Sequence, residues 1–347
     1  MKKRMAFQLV VGAVLLVGLL GLVLMAVSPP AGAQSKKVSV DKLTIRYGNI
    51  PDAQLVAHQL GWFEQELGIP INWITISGGA ATIAAMQSGS LDIGCGVGTP
   101  PIAAASAQGV PLRIFWIQDN AAESLAVRPS AAKSVKELAG KKIGALVGST
   151  MYFALVVALQ KEGVNIRDVK IIDLPIEETV AAFRRGDIDG ALLPHPMVDQ
   201  IIEGGAVEIM SPEVRTKKYG YSLFDACVVM ESFAKKHPDV LEKWVEVEDR
   251  AIKFSKERPK DAYEAIAKNL SISVEMAKKG FEEMFHPTAA EQVTPDWLGL
   301  PGSKDSGVAK AIKITAEFQK SLGRIPDVPK DVDSLIDARF VAKVAGK

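Results

Sequence analysis

Cysteine is almost absent from this chain, with Cys95 and Cys227 the only two in 347 residues. Two cysteines cannot build a multi-bridge framework, and a single bridge between them is not readable from sequence. Each lies in a Gly/Val/Ala-rich strand context, so small buried thiols are expected. Neither sign of charge is in excess: 41 Lys and Arg against 40 Asp and Glu leave a net charge of +1. Beyond Lys2, Lys3 and Arg4 no basic block occurs, which argues against nucleic acid as a partner. The four histidines, His58, His195, His237 and His286, form no metal-ligand spacing with cysteine or with one another, so no metal site is expected. No Gly-Lys-Ser/Thr phosphate loop and no Gly-x-Gly-x-x-Gly helix start occurs, which removes the nucleotide and dinucleotide cofactors. No nucleophile elbow precedes a Ser/His/Asp set. The chain is therefore expected to hold no cofactor and not to be an enzyme.

What is present begins with an export signal. A basic start is followed by an apolar run from Met5 to about Val27, then by Ser28-Pro29-Pro30 and the small residues Ala31-Gly32-Ala33. This is the layout of a secretory signal peptide over 1–33. The run is long enough to span a bilayer, so cleavage before Gln34 and retention as an amino-terminal anchor both stay open. No cysteine follows it to carry a lipid. Either way the remaining domain is expected outside the cytoplasmic membrane.

After residue 34 short strand patterns alternate with helical ones, as in parallel α/β sheets. Strands are expected over 43–47, 69–76, 91–95, 112–117 and 124–128, with helices over 52–67, 80–88 and 100–108. A second series has strands over 142–146, 170–174 and 190–193, with helices over 150–162, 177–185 and 197–202. One more strand, 224–230, precedes helix-dominated segments over 238–269, 274–285 and 307–322. About 310 residues are too many for one simple core, so two domains are expected. The pattern gives a first lobe from 34–127, a second from 128–222, and a return to the first over 223–347. The strands 124–128 and 224–230 would join them as a two-strand hinge, with a cleft between the lobes for a ligand.

Three strand-to-helix turns share one design. Gly78-Gly79, Gly98-Thr99 and Ser149-Thr150-Met151 each place glycine or a hydroxyl residue at a helix start, where backbone N–H groups lack helical partners. Glycine lets a ligand approach the backbone, and helix amino termini favour anions, each by about 0.3–1 kcal/mol. All three follow strand carboxyl ends, where open α/β sheets bind ligands. Acidic residues lie near the same ends: Asp52, Glu123 and Asp225. Asp52 reads equally as a helix cap. Asp225 sits inside the apolar run 223–229 and needs either a wet cleft or a partner, a protein Lys or Arg or a ligand cation. His195, between Pro194 and Pro196 at a strand end, could face the cleft or serve the structure.

Several stretches resemble one known group. Val56-Ala57-His58-Gln59-Leu60-Gly61-Trp62-Phe63-Glu64, Met86-Gln87-Ser88-Gly89-Ser90-Leu91-Asp92-Ile93-Gly94, Ala139-Gly140-Lys141-Lys142-Ile143-Gly144 and Arg184-Arg185-Gly186-Asp187-Ile188-Asp189-Gly190-Ala191 are similar to the nitrate/sulfonate/taurine family of periplasmic binding proteins. Ala234-Lys235-Lys236-His237-Pro238 and Ala338-Arg339-Phe340-Val341 extend the likeness across the exported chain, which most resembles the taurine-binding members. The resemblance implies a two-lobed type II periplasmic-binding fold with a carboxy-terminal helical extension on the first lobe. It also implies delivery of the ligand to an ABC permease with a cytoplasmic ATPase, a role that a monomer suits. Asp225 aligns with an acid that in those members suits the ligand's ammonium, and Glu123 and Asp52 stand where they also carry acids. Pro194-His195-Pro196 departs from their Trp-Ala-Pro segment, so the pocket is expected to differ in shape there.

The expected function is thus an extracytoplasmic solute-binding protein for taurine or a similar small sulfonate or zwitterion. The alternatives are another small anion (alkanesulfonate, nitrate or carboxylate), a tethered sensor, or an enzyme like the thiamine-pyrimidine synthases. Those synthases carry a Cys-rich motif that this chain lacks.

Overall fold

A computed structural model describes residues 38–48 and 50–347; the export segment over 1–33 lies outside the described residues. Two five-stranded sheets carry the fold. In the first, β1 (Leu43–Arg46), β2 (Ile71–Ile74) and β3 (Ile93–Gly98) run parallel, and β10 (Asp225–Met230) lies antiparallel between β3 and β4 (Leu112–Asp119). In the second, β6 (Lys142–Gly144), β7 (Lys170–Ile172) and β8 (Gly190–Pro194) run parallel, and β5 (Glu123–Val127) lies antiparallel between β8 and β9 (Val207–Met210). The strand orders, β2-β1-β3-β10-β4 and β7-β6-β8-β5-β9, repeat one topology. The chain leaves the first sheet after β4 and re-enters it at β10.

Strand β8 and the middle of β10, after Asp225, are buried, and their sequences are correspondingly runs of apolar residues. Between the strands of the first sheet run α1 (Ala53–Gln59), α2 (Trp62–Leu67), α3 (Gly79–Gln87) and α4 (Thr99–Ala107). The second carries α5 (Thr150–Lys161), α6 (Ile176–Arg185) and α7 (Met197–Glu203), then a turn α8 (Pro212–Val214) that runs into a π-helical turn, Arg215–Tyr219. The expected helix over 52–67 is broken because Gly61 takes a left-handed φ of 68° and caps α2. The expected helix over 238–269 divides at Pro259, which opens a new helix because its ring and missing N–H suit only a first turn. The edge strand β9 was not expected from the pattern.

The carboxy-terminal elements are α9 (Glu231–Lys236), α10 (Pro238–Glu257), α11 (Pro259–Leu270), α12 (Val274–Glu282), α13 (Ala289–Gln292), α14 (Gly307–Ser321) and α15 (Arg339–Val344). Trp244 and Ile252 of α10, Ile312 of α14 and Val341 of α15 lie in the core of the first sheet, whereas α11 and α12 pack through Ile266 and Ala277 on Leu55 and Val56 of α1. Phe318 of α14 also reaches across to Phe153 of α5, with ring centroids 5.2 Å apart.

Cys95 and Cys227 are not free thiols. They form a disulfide with Sγ–Sγ 2.05 Å across a sequence separation of 132 residues. The cause is topological: β10 returns beside β3, and a bulge between Ala226 and Val228 sets Cys227 against Cys95.

Candidate functional site

The cavity lies where the carboxyl ends of β1, β3 and β8 meet the starts of α3 and α5. It has a volume of about 260 Å³ and is lined on one side by Arg46, Gly78, Gly79, Gly96, Gly98 and Asp225, and on the other by Glu123, Ser149, Thr150, Met151, Ile176 and Pro194.

Two of the three expected helix termini open into it. At α3, Gly78 takes φ 81° and no side chain caps the helix, so its first N–H groups are free of side-chain acceptors. A Cβ on Gly79 would lie 2.5 Å from Pro101 Cγ, so glycine is needed for the helix to start this close to α4. At α5, Ser149 Oγ accepts from the Tyr152 amide at 3.3 Å and donates to the Leu146 carbonyl at 2.6 Å. Thr150 follows it, with its methyl aimed at Gly98, where a Cβ would stand 2.4 Å from Thr150 Cγ2 and 3.1 Å from Asp225 Oδ1. Gly98 thus permits a close approach between the two sides of the cavity.

The third terminus is closed. Pro100 and Pro101 occupy the first turn of α4 and have no N–H to offer. Thr99 Oγ1 accepts from the Phe224 amide at 2.9 Å and donates to the Phe224 carbonyl at 3.1 Å, and the Thr99 amide donates to the same carbonyl at 3.1 Å. Thr99 is a buried staple between α4 and β10, outside the cavity lining.

Among the acids, Asp225 is the one left facing the cavity without a donor. It is partly buried, and no hydrogen-bond donor among the described residues reaches its carboxylate; burial and then the Glu123 charge push its pKa up to about 7, against the pull of Arg46 and Arg215. Glu123 also lines the cavity, but Arg215 Nη1 donates to it at 2.7 Å. Both side chains are nearly fully buried. The same guanidinium donates from Nη2 to the Ala121 carbonyl at 2.5 Å. Asp52 lies behind the wall: it caps α1 by accepting from the Leu55 amide at 3.0 Å and from Gln118 Nε2 at 2.9 Å, and burial raises it to about 7. His195 is also turned inward, with Nδ1 2.8 Å from Asp199 Oδ2 and Nε2 3.3 Å from Ser124 Oγ. Asp199 in turn pairs with Lys279 Nζ of α12 at 2.6 Å. The structure therefore brings Gly78, Gly79, Gly98, Glu123, Ser149, Thr150, Met151 and Asp225 into one cavity and places Asp52, Thr99 and His195 outside its lining.

Sequence reasoning missed Arg46. As the last residue of β1 it reaches the cavity floor, donating from Nη1 to the Cys95 carbonyl and from Nε to the Ile76 carbonyl, the latter at 3.3 Å. Burial lowers its pKa, opposed by Asp225 and then Asp52. A Cβ on Gly96 would collide with its guanidinium, so that glycine, at φ 65°, makes room for it. The available signal was position, since Arg46 ends a strand whose carboxyl end also carries Asp52. Asp119 was missed too. It is fully buried at the end of β4, with Oδ1 accepting from the Ala121 amide at 2.7 Å and Oδ2 without a partner. Four carboxylates, Asp52, Asp119, Glu123 and Asp225, thus surround two guanidiniums, Arg46 and Arg215. Such an excess of buried negative charge favours a cationic group at Asp225, beside the anion-favouring starts of α3 and α5. Among the described residues, the grouping with metal-ligating geometry is Cys95, Cys227 and Glu248, and the disulfide consumes both sulfurs.

Known proteins share this fold. The taurine-binding periplasmic protein of Escherichia coli K12 is 30% identical over 318 residues, covering 89% of this chain and 94% of that protein. A putative aliphatic sulfonates-binding protein of Bacillus subtilis 168 is 25% identical over 299 residues, 83% of each chain. Among solved structures, the alkanesulfonate-binding protein SsuA of Xanthomonas axonopodis pv. citri, bound to MOPS, superposes with a TM-score of 0.71 at 20% identity, covering 86% of this chain and 98% of that one. The periplasmic aliphatic sulphonate binding protein SsuA of Escherichia coli gives 0.69 at 18% identity, with 86% and 92% coverage. At that identity the two structures establish the fold, that of the periplasmic binding proteins. Residues 53–262 match the family described as NMT1/THI5 like, and the chain belongs to that family.

Proposed function

We propose that this chain is the extracytoplasmic solute-binding component of an ABC importer and captures taurine or a similar small sulfonate zwitterion. The observation that carries the reading is one cavity lined by two helix starts, at Gly79 and Thr150, and by one carboxylate without a donor, Asp225. The sulfonate would lie on the helix termini and the ammonium at Asp225. The names of the relatives support the ligand class. Among the described residues no helix is long and apolar enough to cross a membrane. On this reading 1–33 is an export signal, and residues 34–127 with 223–347 form one lobe hinged to 128–222. A permease with a cytoplasmic ATPase receives the cargo.

A thermal-denaturation panel tests this with taurine, ethanesulfonate, β-alanine, sulfate and nitrate. A ligand at 100 times its Kd stabilises by about 2.7 kcal/mol, a readable shift. Taurine is expected to shift the transition and ethanesulfonate, which lacks the amino group, much less. Equal shifts with both would remove the ammonium site, and no shift with any would remove the ligand class.

A further inference from the structure

We propose that Asp119 and Asp225 share one proton in the empty cavity, and that capture of a cationic ligand group expels that proton, making Asp119 a specificity residue that acts through Asp225. The inference rests on the ammonium being held at Asp225. Its basis is register: Asp119 of β4 stands directly opposite Asp225 of β10 in an antiparallel pair. Residues so placed lie on one face with Cβ atoms about 4.5–5.5 Å apart, where like charges oppose each other. Asp119 Oδ2 is buried with no partner, which suits a carboxyl that keeps or shares a proton far better than a bare carboxylate.

The surroundings do not neutralise the pair. The charged groups facing it are Arg46 on β1, Asp52 ahead of α1, Glu123 on β5 and Arg215 in the π-helical turn. Arg215 is committed to Glu123 at 2.7 Å, and Arg46 is shared between Asp225 and Asp52. Asp119 lies well above the usual carboxylate range through burial and then the Asp225 charge, in line with the geometry. The pair titrates as a unit, so its steps belong to both residues. When an ammonium enters, the second positive charge lets both carboxylates ionise, and the displaced proton leaves to solvent. No bond other than O–H is made or broken. A neutral or purely anionic ligand offers no such replacement, so the pair discriminates against it.

The test combines calorimetry with direct titration. Taurine binding is measured at about pH 6 in buffers of different ionisation heat, then at about pH 8, where the ligand amine is still protonated. Release of about one proton per ligand is expected at the lower pH and much less at the higher, with affinity falling about tenfold per pH unit below the upper step of the pair. Asp119→Asn keeps an acceptor for the Ala121 amide and is expected to bind taurine without proton release. Release unchanged in Asp119→Asn, or absent from the wild type, overturns the proposal. Carboxyl 13C titration of the ligand-free protein separates the two levels of argument. A near-neutral step that disappears in both Asp119→Asn and Asp225→Asn upholds the pair even if taurine fails to bind, in which case only the ligand assignment falls. Without that step in the wild type, the pair is refuted while taurine binding stands.

Discussion

The two walls of the cavity are built from sheets of identical strand order, yet they divide the chemistry unequally. The first-sheet wall carries Arg46 and Asp225, with the Cys95–Cys227 disulfide tying together the strands next to them. The second-sheet wall presents Ser149, Thr150 and Met151 at a helix start, with Ile176 and Pro194 beside them; its Glu123 is already matched by Arg215. A free carboxylate held on a covalently fixed strand pair can discriminate charge. A helix start flanked by apolar surface contributes field and contact with little discrimination. Selectivity should therefore reside on the first wall, and enclosure on the second.

The sharpest way to break that contrast is Asp225→Ala. Removing one partner of a buried, hydrogen-bonded charge pair costs about 2–5 kcal/mol, roughly thirtyfold or more in Kd. Calorimetry should show that loss for taurine and little change for ethanesulfonate. Ser149→Ala on the other wall loses a helix cap, at about 1 kcal/mol of stability, and should weaken both ligands alike and by less than Asp225→Ala weakens taurine. Similar losses from the two variants would mean that the walls do not divide the work.

A second variant probes how the walls meet. Gly98→Ala places a methyl 2.4 Å from Thr150 Cγ2 without backbone strain, because Gly98 has an ordinary φ of −71°. Overpacking of this kind costs about 1–3 kcal/mol, so taurine affinity should fall about tenfold. Thr150→Ser in the same chain removes the colliding methyl and should restore most of it. Wild-type affinity in Gly98→Ala alone would show that the ligand does not need this close approach.

Stability against pH separates the walls more gently. Asp52 and Asp225 are raised to about 7 and Glu248 to about 8, each mainly by burial, and all three belong with the first sheet. Their folded forms hold protons that the unfolded chain has already released, so ligand-free stability falls as pH rises from about 4 to 8. Tm should be several degrees higher at pH 5 than at pH 8. Asp225→Asn, which cannot ionise, should flatten the slope and raise Tm at pH 8, as expected where function holds a destabilised group in place. A Tm that rises with pH over this range would contradict the direction of these shifts.

How much of this was legible beforehand depended on whether the physics was local. The alternation of strands and helices, and the glycine and hydroxyl turns at Gly78-Gly79 and Ser149-Thr150, depend on neighbours within a few residues, and they fell where expected. Asp225 announced itself as a carboxylate in an apolar strand. What stayed hidden were pairings across the chain. Glu123 looked as available as Asp225 because Arg215 lies 92 residues away. Cys95 and Cys227 looked independent because their partnership needs β10 to run back beside β3. Arg46 and Asp119 drew no notice because nothing near them in sequence marks them, and only the sheet brings both beside the same acid cluster.

Thr99 gives the smallest expected effect on binding. By sequence it matches Thr150: a hydroxyl at a helix start after a strand end. In the structure its hydroxyl serves the Phe224 backbone, and the prolines that follow it leave α4 without amides to offer. Thr99→Val keeps the shape and removes only the hydroxyl. The buried Phe224 amide then loses its acceptor, at a cost of about 1–3 kcal/mol in stability, while taurine affinity should stay within about twofold because that hydroxyl never reaches the cavity. A lower Tm with unchanged Kd is the expected pair of results. A large loss of affinity at unchanged Tm would return α4 to the site and turn two anion-facing helix termini into three.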